Sequence, residues 1–490
     1  MTPERTRAVI VCGVAAAWAL VVCAHTYTRA ASWHAPMVDH AIGPLEFWRE
    51  AVLRSARAIA AALIVGTAAW QLGRTLLAAA DDLESTALER GQFSLAVGVV
   101  ALSSLLTALA VAGWYRPPVV AVVVVGLAVS RPRAALREAA TAWRLLDTRV
   151  RSTRRLTADG LFALCGAAAL ACAVPAALAP ESEYDALWYH LWLPARWLAS
   201  GRLVDIVSEY VSLYPGGWEV LNGAALTLGG PVAAKLLHFS CLPLTAAAAW
   251  ALTRRARVHA SPMLVAALVV TAPTVLWESS TAYVDLALAW LVTLTVVTLF
   301  RFHGTGDRRW LVIGAITMGG ALGVKHLALV VLGVATCAIA GLSYRRAGAR
   351  ALVDAALFAS IALALASPWY LRDLAASGNP LFPEAYKVFG ARPPARWSDG
   401  AEAALDGFKN HFGMGRRPAA LLALPWNVTT HAARFGGTFG PAFLVLIPMV
   451  LMDWSGLKAR PYVLMGFALG CAVYVAVWAS PLGSFQLRFL

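Results

Sequence analysis

Runs of about 17 to 25 apolar residues, each long enough as a helix to cross a bilayer, recur from one end of the chain to the other. They fall near 8–28, 57–80, 92–113, 158–179, 231–252, 261–277, 283–302, 326–343, 351–368 and 461–479, with shorter runs at 117–130, 310–323 and 438–452. The sequence therefore predicts an all-α polytopic membrane protein with about 13 transmembrane helices. Of its 490 residues 59% are hydrophobic and 14% charged, which leaves no room for a large soluble domain.

The net charge is +14, but the basic residues sit between apolar runs rather than on one surface. That distribution fits retention of cytoplasmic loops and argues against nucleic acid as a partner. The first run follows Arg5 and Arg7 and reads as an uncleaved span with the N-terminus inside, a signal peptide being the alternative reading. Eight arginines between Arg131 and Arg155 fix the next span as running from inside to outside. The seven cysteines lie in or beside apolar runs without CxxC spacing, so neither disulfides nor a structural zinc site is expected. Residues 1–157 read as a four-span module without a recognisable site, and Asp81, Asp82 and Glu84 in it as a solvated face.

Chemistry concentrates after residue 157. The stretch PESEYDALWYHLWLPARWLASGR (180–202) sets Glu181, Glu183 and Asp185 directly behind an apolar run, at the external face by the arginine count. Behind them, 186–199 reads as an amphipathic helix lying in the interface, with Asp185 well placed as its N-cap. Tyr214-Pro-Gly-Gly-Trp reads as a turn into a short helix. Asp285 opens one span, and Lys325 and His326 fill the tight turn between two others, at the same outer boundary. Ionisable groups at such depth need a wet cavity or a partner. Trp369 to Gly437 reads as a long outer loop whose many aromatics argue against disorder. His190 reads as interfacial, and Glu181 and Glu183 as loop acids. Without an HxxxH or HExxH pair, any divalent metal would be held weakly by carboxylates, with Glu183 and Asp285 available.

The order Asp185-Ala-Leu-Trp-Tyr189, Tyr214-Pro215, Ala282-Tyr-Val-Asp285, Gly323-Val-Lys325 and Pro368-Trp-Tyr370 resembles the GT-C class of membrane glycosyltransferases. Within that class it is similar to the protein O-mannosyltransferase and aminoarabinose transferase branch. GNPLFP (378–383) and the final FQLRFL (485–490) look like uncharacterised bacterial members. The resemblance covers 158–490 and implies an inverting transfer from a polyprenyl-phosphate sugar to a lipid, glycan or protein acceptor, on the external face of a bacterial inner membrane. It implies Asp185 as general base, Lys325, then Arg372 and Arg488, on the donor phosphate, and Glu183, Tyr189, His190, Tyr214, Asp285 and His326 lining the cavity. Ala186 stands where a second acid often follows the base, Leu213-Tyr214 where a basic residue is expected, and the chain stops where relatives begin another span. A lipid-linked saccharide transporter or flippase, and an O-antigen polymerase or ligase using His411, Arg416 and Arg417, are the alternative readings.

Overall fold

The computed structural model describes residues 17–18, 21, 45–80, 82–131, 157–206, 208–256, 261–393, 397–446, 461–480 and 483–489. Most of the expected span 8–28 and of the arginine segment 131–155, and residues 447–452 of the expected span 438–452, lie outside the described residues. Among those described, the chain is helical, with one isolated bridge between Tyr115 and Gly201.

The apolar runs appear as helices α1 (Leu45–Leu76), α2 (Ala87–Val111), α3 (Pro117–Ala128), α4 (Ala158–Leu178), α5 (Trp192–Ser200), α6 (Glu219–Gly229) and α7 (Pro231–Ala256). They continue as α8 (Pro262–Thr271), α9 (Pro273–Ser279), α10 (Asp285–Thr305), α11 (Arg308–Val324), α12 (Ala328–Ala347), α13 (Arg350–Ser377), α14 (Asp399–His411) and α15 (Pro461–Ala479). Six of the described helices, α1, α2, α4, α7, α10 and α13, are long and apolar enough to cross a membrane. The α8–α9 pair, bent by 67° ahead of Pro273, makes a seventh if it is one span. Such helices mark an integral membrane protein.

Their ends are written locally. Thr86 and Glu89 form a capping box on α2, Thr157 caps α4 through the Gly160 amide, and Asp307 caps α11. Gly378, at φ +78°, ends α13. The loop expected to begin at Trp369 therefore begins nine residues later. Pro368 does not break α13, because the Ala364 carbonyl it leaves without an amide accepts the Ser367 hydroxyl at 2.8 Å. The segment beyond is largely helical as well, with α14 and the short turns Pro418–Leu422, Leu424–Thr430 and Ala432–Phe435.

The chain divides into two compact units, one of 48–270 and 276–402 and one of 1–47, 271–275 and 403–490. Helices α2 and α3 fall in the larger unit with α4 to α7 and α10 to α13, while 271–275, at the α8–α9 bend, belong to the smaller one. In that larger unit α10 is central, 61% of its apolar window being buried against 17% for α4. It packs on α7 and α11, and α11 packs on α13. Helices α1 and α2 meet at Gly73 and Gly98, where a Cβ would fall 1.7 Å from the Ser94 or Ala69 carbonyl oxygen. In the smaller unit Val428, Phe435, Trp478, Phe485 and Leu487 form a core. Arg416 binds Asn410 Oδ1 at 2.5 Å and the carbonyls of Ala479, Ser480 and Gly483 at 3.1 to 3.4 Å.

One end of the larger unit is closed by buried charge. Glu89 accepts from Arg255 at 2.6 and 2.7 Å and from Arg301 at 3.1 Å, tying α2 to the C-terminal turns of α7 and α10. Arg301 also lies 4.9 Å from the Trp310 ring centre. Beside it Arg308 pairs with Asp354 at 2.5 Å, while Asp82, expected as part of a solvated face, meets Arg309 at 2.6 Å. Glu89→Gln leaves the Arg301 guanidinium, 5% exposed, without its counter-charge. The expected loss is about 3–5 kcal/mol, read as a lower unfolding midpoint in detergent; an unchanged midpoint would mean that Trp310 and water suffice.

Candidate functional site

The other ends of the same helices carry a second polar cluster. Lys325 sits where α11 stops, in extended conformation (φ −152°, ψ 144°), with its amide still bonded to the Ala321 carbonyl. Its Nζ donates to Oδ1 of Asp285, the first residue of α10. Lys325 keeps 18% of its side chain exposed and Asp285 only 5%. At the start of α10 His238, from α7, uses both ring nitrogens: Nδ1 lies 3.0 Å from the Thr281 carbonyl, and Nε2 takes the Leu286 amide at 3.0 Å. That pattern fixes a neutral ring as a cap on α10.

The stretch opening at Pro180 closes over this cluster. Glu181 is not a loop acid: Oε1 accepts the Ser182 and Glu183 amides at 2.9 and 3.0 Å, and Oε2 accepts the Ala282 amide at 2.6 Å. Lys235 of α7 donates to the Ala179 and Pro180 carbonyls at 3.1 and 3.3 Å. Glu183, half-buried, lies near Lys235.

Residues Ala186–His190 form a π-helical turn, after which α5 resumes as α-helix. Asp185 precedes it in helical conformation and makes no side-chain cap hydrogen bond, so the expected N-cap is not formed. The expected interfacial helix also differs. Leu191, Leu193, Pro194, Trp197 and Leu198 are buried against protein, while Leu187, grouped with them by spacing, is 52% exposed. The π-turn adds a residue to the period and rotates Leu187 off the apolar face.

His190, expected at an interface, is buried. Its Nδ1 is 2.7 Å from Glu219 Oε1, the side chains 1% and 5% exposed, and its carbonyl takes the Asn222 amide group at 3.2 Å. Burial pushes the Glu219 carboxyl up to about 8, with Asp285 adding to the rise and Lys325 opposing it. Glu219 follows the Pro-Gly-Gly turn, which is pinned to the bundle. The Gly217 amide donates to the Gly323 carbonyl at 2.8 Å, and Ser103 donates to the Gly217 carbonyl at 2.6 Å. A Cβ on Gly217 would lie 2.7 Å from that Gly323 oxygen, so the approach requires glycine.

Aromatic rings join the pieces. Tyr189 lies 3.9 Å from His190 and 6.2 Å from Tyr214, and Tyr214 lies 6.0 Å from His326. Trp188 and Tyr214 both pack on Tyr210, which is pushed up to about 12 by burial and by the Asp185 carboxylate. His326 lies 3.5 Å from Asp373, and burial holds its ring down at about 4. The structure thus brings together Asp185, Tyr189, His190, Tyr214, Asp285, Lys325 and His326.

The expected phosphate ligand Arg372 is engaged elsewhere. Arg372 is committed to Asp205 Oδ1 at 2.7 Å and the Ser212 carbonyl at 2.5 Å, and lies over Trp197 and Trp369. Arg488 belongs to the smaller unit, where it donates to Gln486 at 3.0 Å. GNPLFP is a local turn: Asn379 Oδ1 takes the Leu381 amide and Nδ2 donates to the Glu384 carbonyl. Among the described residues no three His, Cys, Asp or Glu side chains gather where they could hold a metal, Glu183 and Asp285 included.

An apolar cavity of about 380 Å³ opens between α2, α11 and α13. Its wall includes Ser103, Ala108, Trp218, Gly320, Val324 and Trp369. Gly323 and Val324, which line it, directly precede Lys325 in the chain.

Glu219, Asn222, Lys235, His238 and Asp205 escaped the sequence reading. Lys235 and His238 were detectable as two polar residues in one apolar run. Compared with family models, curated proteins and solved structures, the chain matches none.

Lys325→Met leaves Asp285 buried without the Lys325 ammonium, and is expected to cost about 3–5 kcal/mol, most of it regained in the double variant with Asp285→Asn. A double-mutant cycle on unfolding midpoints measures this. Additive losses would mean that the pair is not coupled.

Proposed function

We propose that the protein is an integral membrane glycosyltransferase that moves a sugar from a polyprenyl-phosphate donor to an acceptor hydroxyl, with inversion, at the external end of its helices. The observation that carries the reading is the Asp285–Lys325 pair at the helix ends that also carry Tyr214 and His326, with the two residues before Lys325 lining an apolar cavity. That combination suits an amphipathic substrate: a prenyl chain in the cavity and an anionic head at Lys325.

In this mechanism the Asp185 carboxylate takes the proton of the acceptor hydroxyl. The oxygen attacks the anomeric carbon from the face opposite the phosphate. The bond from that carbon to the phosphate oxygen breaks, and its electron pair leaves with the polyprenyl phosphate. Lys325 stabilises the departing charge by turning partly from Asp285. Arg372 and Arg488 have no part in this version. The accompanying topology has about 13 crossings, the N-terminus cytoplasmic and the membrane a bacterial inner (plasma) membrane.

Asp185→Asn is expected to lower transfer from a polyprenyl-phosphate hexose by roughly 10²–10⁴ while leaving expression and donor binding intact. Wild-type turnover in that variant removes Asp185 from the reaction. Ala108→Phe, at an exposed position on the cavity wall, is expected to raise KM for a long-chain donor roughly tenfold, with little effect on a short-chain one. Equal effects on both donors would mean that the chain lies elsewhere.

One observation favours a transporter as second reading. His190–Glu219 beside Asp285–Lys325 is the type of buried acid–base series that relays protons. Proton-driven flux of a lipid-linked sugar in proteoliposomes, without sugar transfer, would establish it. The polymerase or ligase reading is weakened by Arg416, whose guanidinium is taken up by Asn410 and three carbonyls.

A further inference from the structure

The turn that follows Asp185 is wound as a π-helix, and the Leu191 amide closes it on the Ala186 carbonyl at 2.9 Å. A π-turn is a rare winding that needs an outside restraint. Here the restraint comes from α6, where Glu219 and Asn222, three residues apart on one face, hold the ring and the carbonyl of His190. Tyr189 and Tyr283, 3.9 and 5.7 Å from the imidazole, cover it.

The second oxygen of Glu219, Oε2, is buried with no hydrogen-bond partner among the described residues. An ionised carboxylate with one bare oxygen in this setting is costly; a single proton held by the pair removes the cost. The proton sits on Glu219, donating to Nδ1, or on the ring, donating to Oε1.

Among the described residues, the charged groups around the pair are engaged or exposed. From α10 and the end of α11, Asp285 and Lys325 face the pair as an ion pair of their own. From α7, His238 has both nitrogens engaged, and Lys235 is held by two carbonyls. Ahead of α3, Tyr115 gives its hydroxyl to the Val220 carbonyl. On α5, Arg196 is exposed.

We infer that His190 and Glu219 share one proton near neutrality as a latch on the Asp185 turn, and that its loss to solvent at alkaline pH frees a carboxylate that competes with Asp285 for Lys325. The latch stands on the pair's geometry alone; its effect on sugar transfer rests on the reading of Asp185 as base. His190 and Glu219 are then positioning residues.

The sign follows from linkage. Burial raises the Glu219 carboxyl from 4.5 to about 8. The stabilisation from the bound proton is complete below the unfolded value and is lost as pH rises through about 8.

The test is the unfolding midpoint of the full chain in detergent from pH 6 to 9. The wild type is expected to lose a few degrees between pH 7 and 9. Glu219→Gln keeps the shape and a hydrogen bond to His190 without titrating, and its curve is expected to be flatter over that window. His190→Asn, which leaves Glu219 to titrate, is expected to keep the slope. In sugar transfer, the alkaline limb of the rate profile is expected to move up by about one pH unit in Glu219→Gln, the acid limb staying in place. A flat wild-type curve overturns the latch without any variant, as does a Gln variant with the wild-type slope. Absence of transfer in the wild type touches only the reading of Asp185, since the melting curves report the latch independently.

Discussion

The Asp285–Lys325 ion pair joins the first residue of α10 to the residue that ends α11, and the site depends on it. Each charge alone would be expensive at the edge of an apolar bundle. Paired, they let two helices that pack along their length also end together, and leave the ammonium as the partner that reaches solvent. Around this point several polar groups are answered locally: His238 caps α10, Glu181 holds the Ala282 amide, and Gly217 docks on the Gly323 carbonyl near the end of α11.

The far end of the same helices is closed by the same physics with opposite emphasis. There two arginines converge on Glu89, so the excess charge is positive, whereas carboxylates predominate around Lys325. The bundle is clamped at both ends by buried ion pairs and filled between them by small and branched apolar side chains. Ion pairs at the ends fix which helices are neighbours, and apolar contact fixes how closely they approach.

Much of the fold was legible because span length and helix-ending residues are local properties. The runs near 92–113, 158–179 and 283–302 reappear as α2, α4 and α10 to within a few residues. The ordered acids, tyrosines and lysine also meet. What could not be read was pairing. Arg372 carries no mark of Asp205, 167 positions away, nor His190 of Glu219, 29 positions away. Pro368 looked like a helix terminator because the hydroxyl that answers its freed carbonyl belongs to an ordinary serine. The apolar face read over 186–199 differs for a related reason: helical spacing assumes a constant period, and the π-turn breaks it at Leu187.

Helix α4 is held chiefly at its two ends. At one, Asp159 meets Ser261 at 2.5 Å; at the other, Lys235 grips the last carbonyls and Glu181 reaches Ala282. Between these pins it is mostly uncovered by protein. Selection on such a helix acts as on a bar fixed at both ends. Across descendants of this chain the interior of α4 is free to drift among apolar residues. Its length is not: one inserted residue would turn Glu181 by about 100° and carry it off the Ala282 amide.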